Sequence, residues 1–147
     1  PMALHMIKLC VGANAIEDLA DWQLGRMAAR KKTGQAPLPY HTTFQSPKRQ
    51  QELLDGGSLY WVMKGIITVR QRFVAFEEGA KEDGTPCCVM VLDPELVPVR
   101  PVPRRAFQGW RYLTAEDAPP DLGKGMGNGI AAMPPGMRKA LAELCLI

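Results

Sequence analysis

Arg70 and Arg72 stand two residues apart in the run Ser58 to Phe76, SLYWVMKGIITVRQRFVAF. On a strand, alternate side chains share a face, which would set these guanidinium groups about 7 Å apart, a spacing suited to neighbouring phosphates or one acidic ligand. Solvation on the outer face of an antiparallel sheet, or pairing with nearby acids, would equally account for them. Arg104, Arg105 and Arg111 surround Trp110 in RRAFQGWRYL, while Trp61 lies in the first run near Lys64. Cations on phosphate beside a ring that stacks on a base make a nucleic-acid-binding surface, each stacked base contributing about 1–3 kcal/mol. The candidates for that surface are therefore Arg70, Arg72, Arg104, Arg105, Arg111, Lys64, Trp61 and Trp110. Core packing is the competing role for the two tryptophans.

A second chemistry needs a titratable group close to a positioned carboxylate. Lys64 as base or nucleophile, with Asp93 or Glu95 as its partner, would give a small hydrolase or transferase acting on a nucleobase-like substrate. The pattern is unspecific, and Lys64 also reads as a solvated turn residue. A third reading rests on FQGWRYL, because arginine, tryptophan and tyrosine are enriched at protein-interaction hot spots.

The elements that must position these groups follow from pattern. Ser58 to Phe76 reads as two strands about a Lys64-Gly65 break, which is either a tight turn or a bulge. Alternation puts Ile67, Val69, Phe73 and Ala75 on one face with Gln71, and Ile66, Thr68, Arg70, Arg72, Val74 and Phe76 on the other. Leu4 to Val11 is a first strand, apolar on both faces except for Lys8. Asn14 with Glu17 forms a capping-box pattern that opens a helix to about Lys32, its apolar stripe being Ile16, Leu19, Ala20, Met27 and Ala28. Arg30, Lys31 and Lys32 fall at the negative end of that helix, which suffices to explain them. Thr33 to Gln45 reads as a loop, and Ser46-Pro47 as the start of a short helix through Leu54.

Glu77 to Pro86 is a polar hairpin loop leading into a strand over Cys87 to Leu92. Pro98, Pro101 and Pro103 favour an extended, solvated segment. Trp110 and Tyr112 then share one face of a strand and Arg111 takes the other. Gly123 to Gly129, GKGMGNG, lacks both the P-loop Lys-Ser/Thr pair and G-x-G-x-x-G, so it reads as a mobile linker. A C-terminal helix after Pro135 carries the stripe Met137, Leu141 and Leu144.

The net charge of +3 hides an uneven distribution. Between Asp21 and Glu52 there are six bases and no acid, and from Glu95 to Glu116 four arginines and no acid. Such segments attract a polyanion if they meet on one face. Cys10, Cys87, Cys88 and Cys145 form no C-x-x-C pair and read as reduced, buried residues. The only histidines, His5 and His41, are far apart, so no metal and no cofactor are expected. Lys8 interrupts the apolar N-terminal stretch, no basic segment precedes it, and no run approaches the roughly 18 apolar residues of a membrane span. A cytoplasmic location without membrane contact is expected. With Met2 read as the natural start, the expectation is one domain over residues 2–147.

The strings LDGGSLYWVMKG, TVRQR, LDPELV and FQGWRYL, followed by EDAPPDL, resemble a bacterial family known as domain of unknown function 1489. The likeness runs from about Leu4 to Asp121, and the glycine-rich stretch beyond looks particular to this chain. It implies no activity and supplies no catalytic residues. A more distant similarity is to the PUA-like superfamily with its ASCH members, small β-barrels that often bind RNA or modified bases. Of the ASCH pattern G-x-K-x-x-E-x-R, Gly65 and Arg72 match, whereas Ile67 and Arg70 replace the lysine and the glutamate. Residues and resemblance together lead to an α+β chain with a mainly antiparallel, barrel-like (PUA-like) sheet, a long N-terminal helix and a short C-terminal helix. The leading function is binding of RNA or another polyanion, without catalysis. The hydrolase or transferase and the protein-partner readings stay open beside it.

Overall fold

The Lys64-Gly65 break is a tight turn. In the computed structural model, which describes residues 3–105 and 107–122, both residues have positive φ, 51° and 76°. That is the backbone of a two-residue hairpin turn whose twist matches the strands it joins. It connects β3 (Ser58–Met63) to the long β4 (Ile66–Ala80). The chain then returns along β4 twice, as β5 (Pro86–Leu92) and β6 (Val97–Pro103), in a nearly continuous antiparallel register.

β1 (Leu4–Leu9) lies parallel to β3, and β7 (Trp110–Thr114) antiparallel to β1. Parallel neighbours need a crossover. Here it comprises α1 (Ile16–Lys32), β2 (Tyr40–Thr43) and α2 (Gln50–Leu54). The sheet has the order β2-β5-β4-β3-β1-β7, with β6 also on β4. It does not close into the expected barrel, since β2 and β7 remain the two ends of its path. The physical reason lies in the packing, because α1 and its Leu19 and Ala20 fill one side against Trp61, Val69, Phe73 and Met90. The opposite side is a smaller cluster of Ile7, Tyr60, Val62, Ile67, Val99 and Leu113, capped by Phe107 and Ala118.

Bulges interrupt the expected alternation along β4. Its register shifts between Ile67 and Val69 and again between Phe73 and Ala75. Ile67 therefore joins Tyr60 and Val62, while Val69 joins Trp61 on the helix-covered side. Phe76, expected on the arginine face, packs on Phe73 with ring centroids 5.0 Å apart. An extra residue in one strand turns everything beyond it to the other face.

The helices also differ from expectation. α1 begins at Ile16 after Ala15, without a side-chain cap, and the Asn14 amide instead donates to the Asp18 carboxylate at 3.0 Å. Its buried residues are Leu19, Ala20 and Gln23, whereas Ala28 is exposed. α2 starts at Gln50, three residues past Pro47, and has only five residues. The C-terminal helix and the Gly123 to Gly129 linker lie outside the described residues. Two strands were not anticipated. β2 arises within the expected loop, where His41 and Thr43 turn inward, and β6 forms despite three prolines because, beyond its ladder with β4, its other side is met only by a single Val99–Asp121 bridge with the Arg100 amide on Pro120 O, so few of its own amides are called on. Cys10, Cys87 and Cys88 are buried and unbridged. No helix among the described residues is long and apolar enough to cross a membrane.

Two glycines in similar-looking polar surroundings have opposite requirements. A Cβ on Gly57 would overlap the carbonyl oxygens of Leu4 and Leu53, whereas one on Gly25 in α1 meets nothing. Backbone cannot step aside as a flexible side chain can. Gly57→Ala is expected to cost about 3 kcal/mol and Gly25→Ala to gain about 0.5–1 kcal/mol by favouring helix. Urea unfolding followed by circular dichroism measures both, and a neutral Gly57→Ala would disprove the close approach of β1 to α2.

Candidate functional site

Arg70 and Arg72 do share a side of β4, opposite Tyr60 and Ser58 of β3. Their situations differ. Arg70 grips Asp121 with both ends of its fork, Nε to Oδ1 and Nη2 to Oδ2 at 2.7 Å each, and donates to Ser58 Oγ at 3.0 Å. These contacts raise its pKa further, chiefly through the Asp121 hydrogen bonds. Arg70 is thus a bracket for the chain leaving β7, while Arg72 is exposed. Neither shares a face with Trp110, whose ring packs on the helix-covered side.

Lys64 and Asp93 are not brought together. Lys64 occupies the β3–β4 turn, whereas the Asp93 amide bonds Arg72 O near the middle of β4. Eight residues of strand between Lys64 and Arg72 amount to roughly 25 Å. Asp93 Oδ1 instead accepts from the Glu95 amide at 2.9 Å.

Trp61 is 1% exposed and its indole donates to Gln71 Oε1 at 2.9 Å. It belongs to a buried polar chain that no sequence pattern announced. Trp61 can only donate and Asp93 O, 3.0 Å from Gln71 Nε2, can only accept, so the Gln71 amide has one orientation. Gln23 pairs with it reciprocally at 2.6 and 2.8 Å and turns its other N–H toward His41 Nε2 at 3.1 Å. Arg26 Nη1 reaches His41 Nδ1 at 2.9 Å and donates to Tyr40 O at 2.8 Å. With the Gln23 N–H on Nε2, the one proton of the neutral ring belongs to Nδ1, and a second proton on Nε2 would face that donor while its charge met the Arg26 guanidinium. Burial, then the charges of Arg26 and Lys8, push the His41 pKa down to about 3.

The cleft with cations and rings lies elsewhere, between β1, the end of β2, the β4–β5 loop and the start of β7. It encloses about 430 Å³ and its walls include Lys8, Phe44, Gln45, Lys81 and Trp110. In the sheet Lys8 lies directly between Trp61 of β3 and Trp110 of β7. Even-numbered residues of β1 face α1, so Leu4 and Met6, with Cys10 just past the strand, are buried on this side while Lys8 borders the cleft. Its burial lowers its pKa, and burial raises the neighbouring Cys10 thiol to about 11.

Trp110 is anchored by its indole N–H on Gln45 O at 2.8 Å and by an edge contact with Tyr112 at 4.9 Å. Phe44 is 66% exposed, and Lys81 Nζ stands 3.3 Å from its ring centroid. Gly109, at φ 70°, makes the bend that leads the chain into Trp110. Neither lysine forms an ion pair among the described residues.

The remaining candidates converge on a second hollow of about 400 Å³ formed by Pro103, Arg104, Arg105, Phe107 and Arg111. The Arg111 guanidinium lies 5.3 Å from the Phe107 ring. All three arginines are exposed and none forms an ion pair among the described residues. Sequence reasoning therefore found Trp110 and this trio but missed Lys8, Phe44 and Lys81. The available signal was Lys8, the one cation in the apolar strand LHMIKL.

The sealed His41 sets a pH dependence. The unfolded chain takes up a proton below about 6.5, which the folded protein refuses until about 3. Stability is therefore unaffected above that window and falls with decreasing pH inside it, by about 1.4 kcal/mol per unit. His5, lowered first by burial and next by Arg70, adds in the same direction. Urea unfolding on either side of about pH 6 and the imidazole signals by NMR measure this. A His41 ring that protonates near its ordinary pKa would show that the network is open to water.

No curated protein and no solved structure matches the chain significantly. The likeness to PUA-like barrels receives no support from these comparisons or from the open sheet. One family profile, described as protein of unknown function (DUF1489), matches residues 6–147. It extends past Asp121, through the glycine-rich stretch that looked particular to this chain. Covering nearly the whole sequence, the match shows that the chain belongs to the DUF1489 family.

Proposed function

We propose that this protein binds single-stranded nucleic acid, RNA foremost, in the cleft between Phe44 and Trp110. The observation that carries the reading is that two lysines without ion-pair partners among the described residues, Lys8 and Lys81, share that cleft with two aromatic rings. Ammonium groups attract phosphate irrespective of sequence, and rings stack on any base. Trp110 is held in place from two sides, so little order is lost when a base meets its face. Phe44, exposed at the cleft wall, supplies a second stacking surface.

This assignment redistributes the roles expected from sequence. Lys8 and Lys81 become the phosphate contacts beside the base, in place of Arg70, whose fork is taken by Asp121. Trp110 keeps its stacking role, and Trp61, buried beside Lys8 in the sheet, serves the core. Lys64, at the far turn, has none.

Fluorescence anisotropy with labelled single-stranded RNA, single-stranded DNA and duplex, over a salt series, tests the reading. Binding to the single strands is expected to weaken steeply with salt. The double variant Lys8→Gln/Lys81→Gln should reduce the logarithmic salt slope by about 1.4, two phosphate contacts at roughly 0.7 each. Tryptophan quenching by RNA should be reduced in Trp110→Phe, and poly-glutamate, a polyanion without bases, should compete poorly. No binding at low salt, or equally good competition by poly-glutamate, would defeat the proposal.

A further inference from the structure

We infer that the arginine hollow beside Phe107 is a second phosphate station for the same strand, so that one single-stranded polyanion crosses the outer edge of β7 and is held on both faces of the sheet. The inference rests on the nucleic-acid reading of the Lys8 cleft.

Trp110 and Arg111 are consecutive residues of β7 and point to opposite faces. The indole packs with the helix-covered cluster and borders the cleft, while the guanidinium borders the hollow. The segment before β7 rims both concavities, Gln108 and Gly109 in the cleft and Arg104, Arg105 and Phe107 in the hollow. β7 is the last strand of the sheet path, so among the described residues no ladder obstructs its outer edge. The way between the two concavities passes over one strand.

Charge supplies the reason for a single occupant. Three exposed guanidinium groups crowd one hollow with no ion-pair partner among the described residues, and two lysines do so in the cleft. Arginine forks match phosphate oxygens geometrically. Phe107, with Arg111 against its ring, adds an apolar wall that suits a sugar or base. The thickness of a sheet with its side chains, about 10 Å, exceeds the reach of a mononucleotide but not of a strand of about four or more nucleotides.

The inference predicts that strand and mononucleotide respond differently to loss of the trio. The probes are a labelled oligouridylate of about eight nucleotides, followed by anisotropy over a salt series, and uridine monophosphate, followed by tryptophan quenching. In Arg104→Ala/Arg105→Ala/Arg111→Ala the oligonucleotide salt slope should fall by about 2 and affinity near physiological salt by tenfold or more, with quenching by the monophosphate unchanged. The corresponding triple lysine variant should restore most of the slope, which separates charge from any effect on folding. An unaltered slope in the alanine variant, with the monophosphate still bound, overturns the second station and leaves the cleft reading standing. A parallel loss of monophosphate binding overturns it too, because the arginines would then belong to the cleft. Failure of the parent protein to bind either probe overturns the nucleic-acid reading and this inference with it.

Discussion

Among the described residues, the Gln71 amide joins more of the fold than any other side chain. It is buried in the middle of β4, accepts from Trp61 of β3, exchanges hydrogen bonds with Gln23 of α1 and donates to the carbonyl of Asp93 where the chain leaves β5. Through Gln23 the same chain reaches His41 of β2. A buried polar group without a partner costs about 1–3 kcal/mol, so each of these groups is stable only while the others stay in place. Apolar packing alone would let α1 slide along the sheet. The amide chain sets one position for the helix, and with it one position for β2 and the cleft at its end.

The two sides of the sheet have consequently become different materials. One is filled by helices and has a lysine-bearing cleft at its margin. The other holds a smaller apolar cluster and a guanidinium–carboxylate bracket, Arg70 on Asp121, that ties the segment after β7 back across the sheet. Consecutive residues of β7 are split between these sides, Trp110 with Lys8 on one and Arg111 with Arg104 and Arg105 on the other. Only the terminal position of β7 makes it reasonable to regard them as one surface.

Much of this was legible in the residues. The strands β1, β3, β4, β5 and β7 and the helix α1 follow from apolar period and β-branched content, and the place of Gly65 follows from turn chemistry. The face of each residue in β4 was not, because a bulge is a relation between two strands and leaves no local mark at Thr68 or Val74. β6 escaped because proline counts against a strand unless the strand is known to lie at an edge. In the site, Trp110 and the arginine trio were visible as an unusual local string. Lys8, Phe44 and Lys81 come from three separate segments that meet only in space, and Gln23 looked like an ordinary polar residue of an amphipathic helix.

The prolines of β6 have a meaning beyond their tolerance at an edge. β4 is 15 residues long, and an open flank on such a strand would offer a template on which another copy of the chain could grow in register. β6 covers part of it, its own outer side is met in turn by the Arg100 amide on Pro120 O and the Val99–Asp121 bridge, and Pro98, Pro101 and Pro103 have no amide hydrogen for any further strand. The flank is thereby ended rather than merely occupied. Resistance to edge-to-edge aggregation is built into the same segment that delivers Arg104 and Arg105 to their hollow.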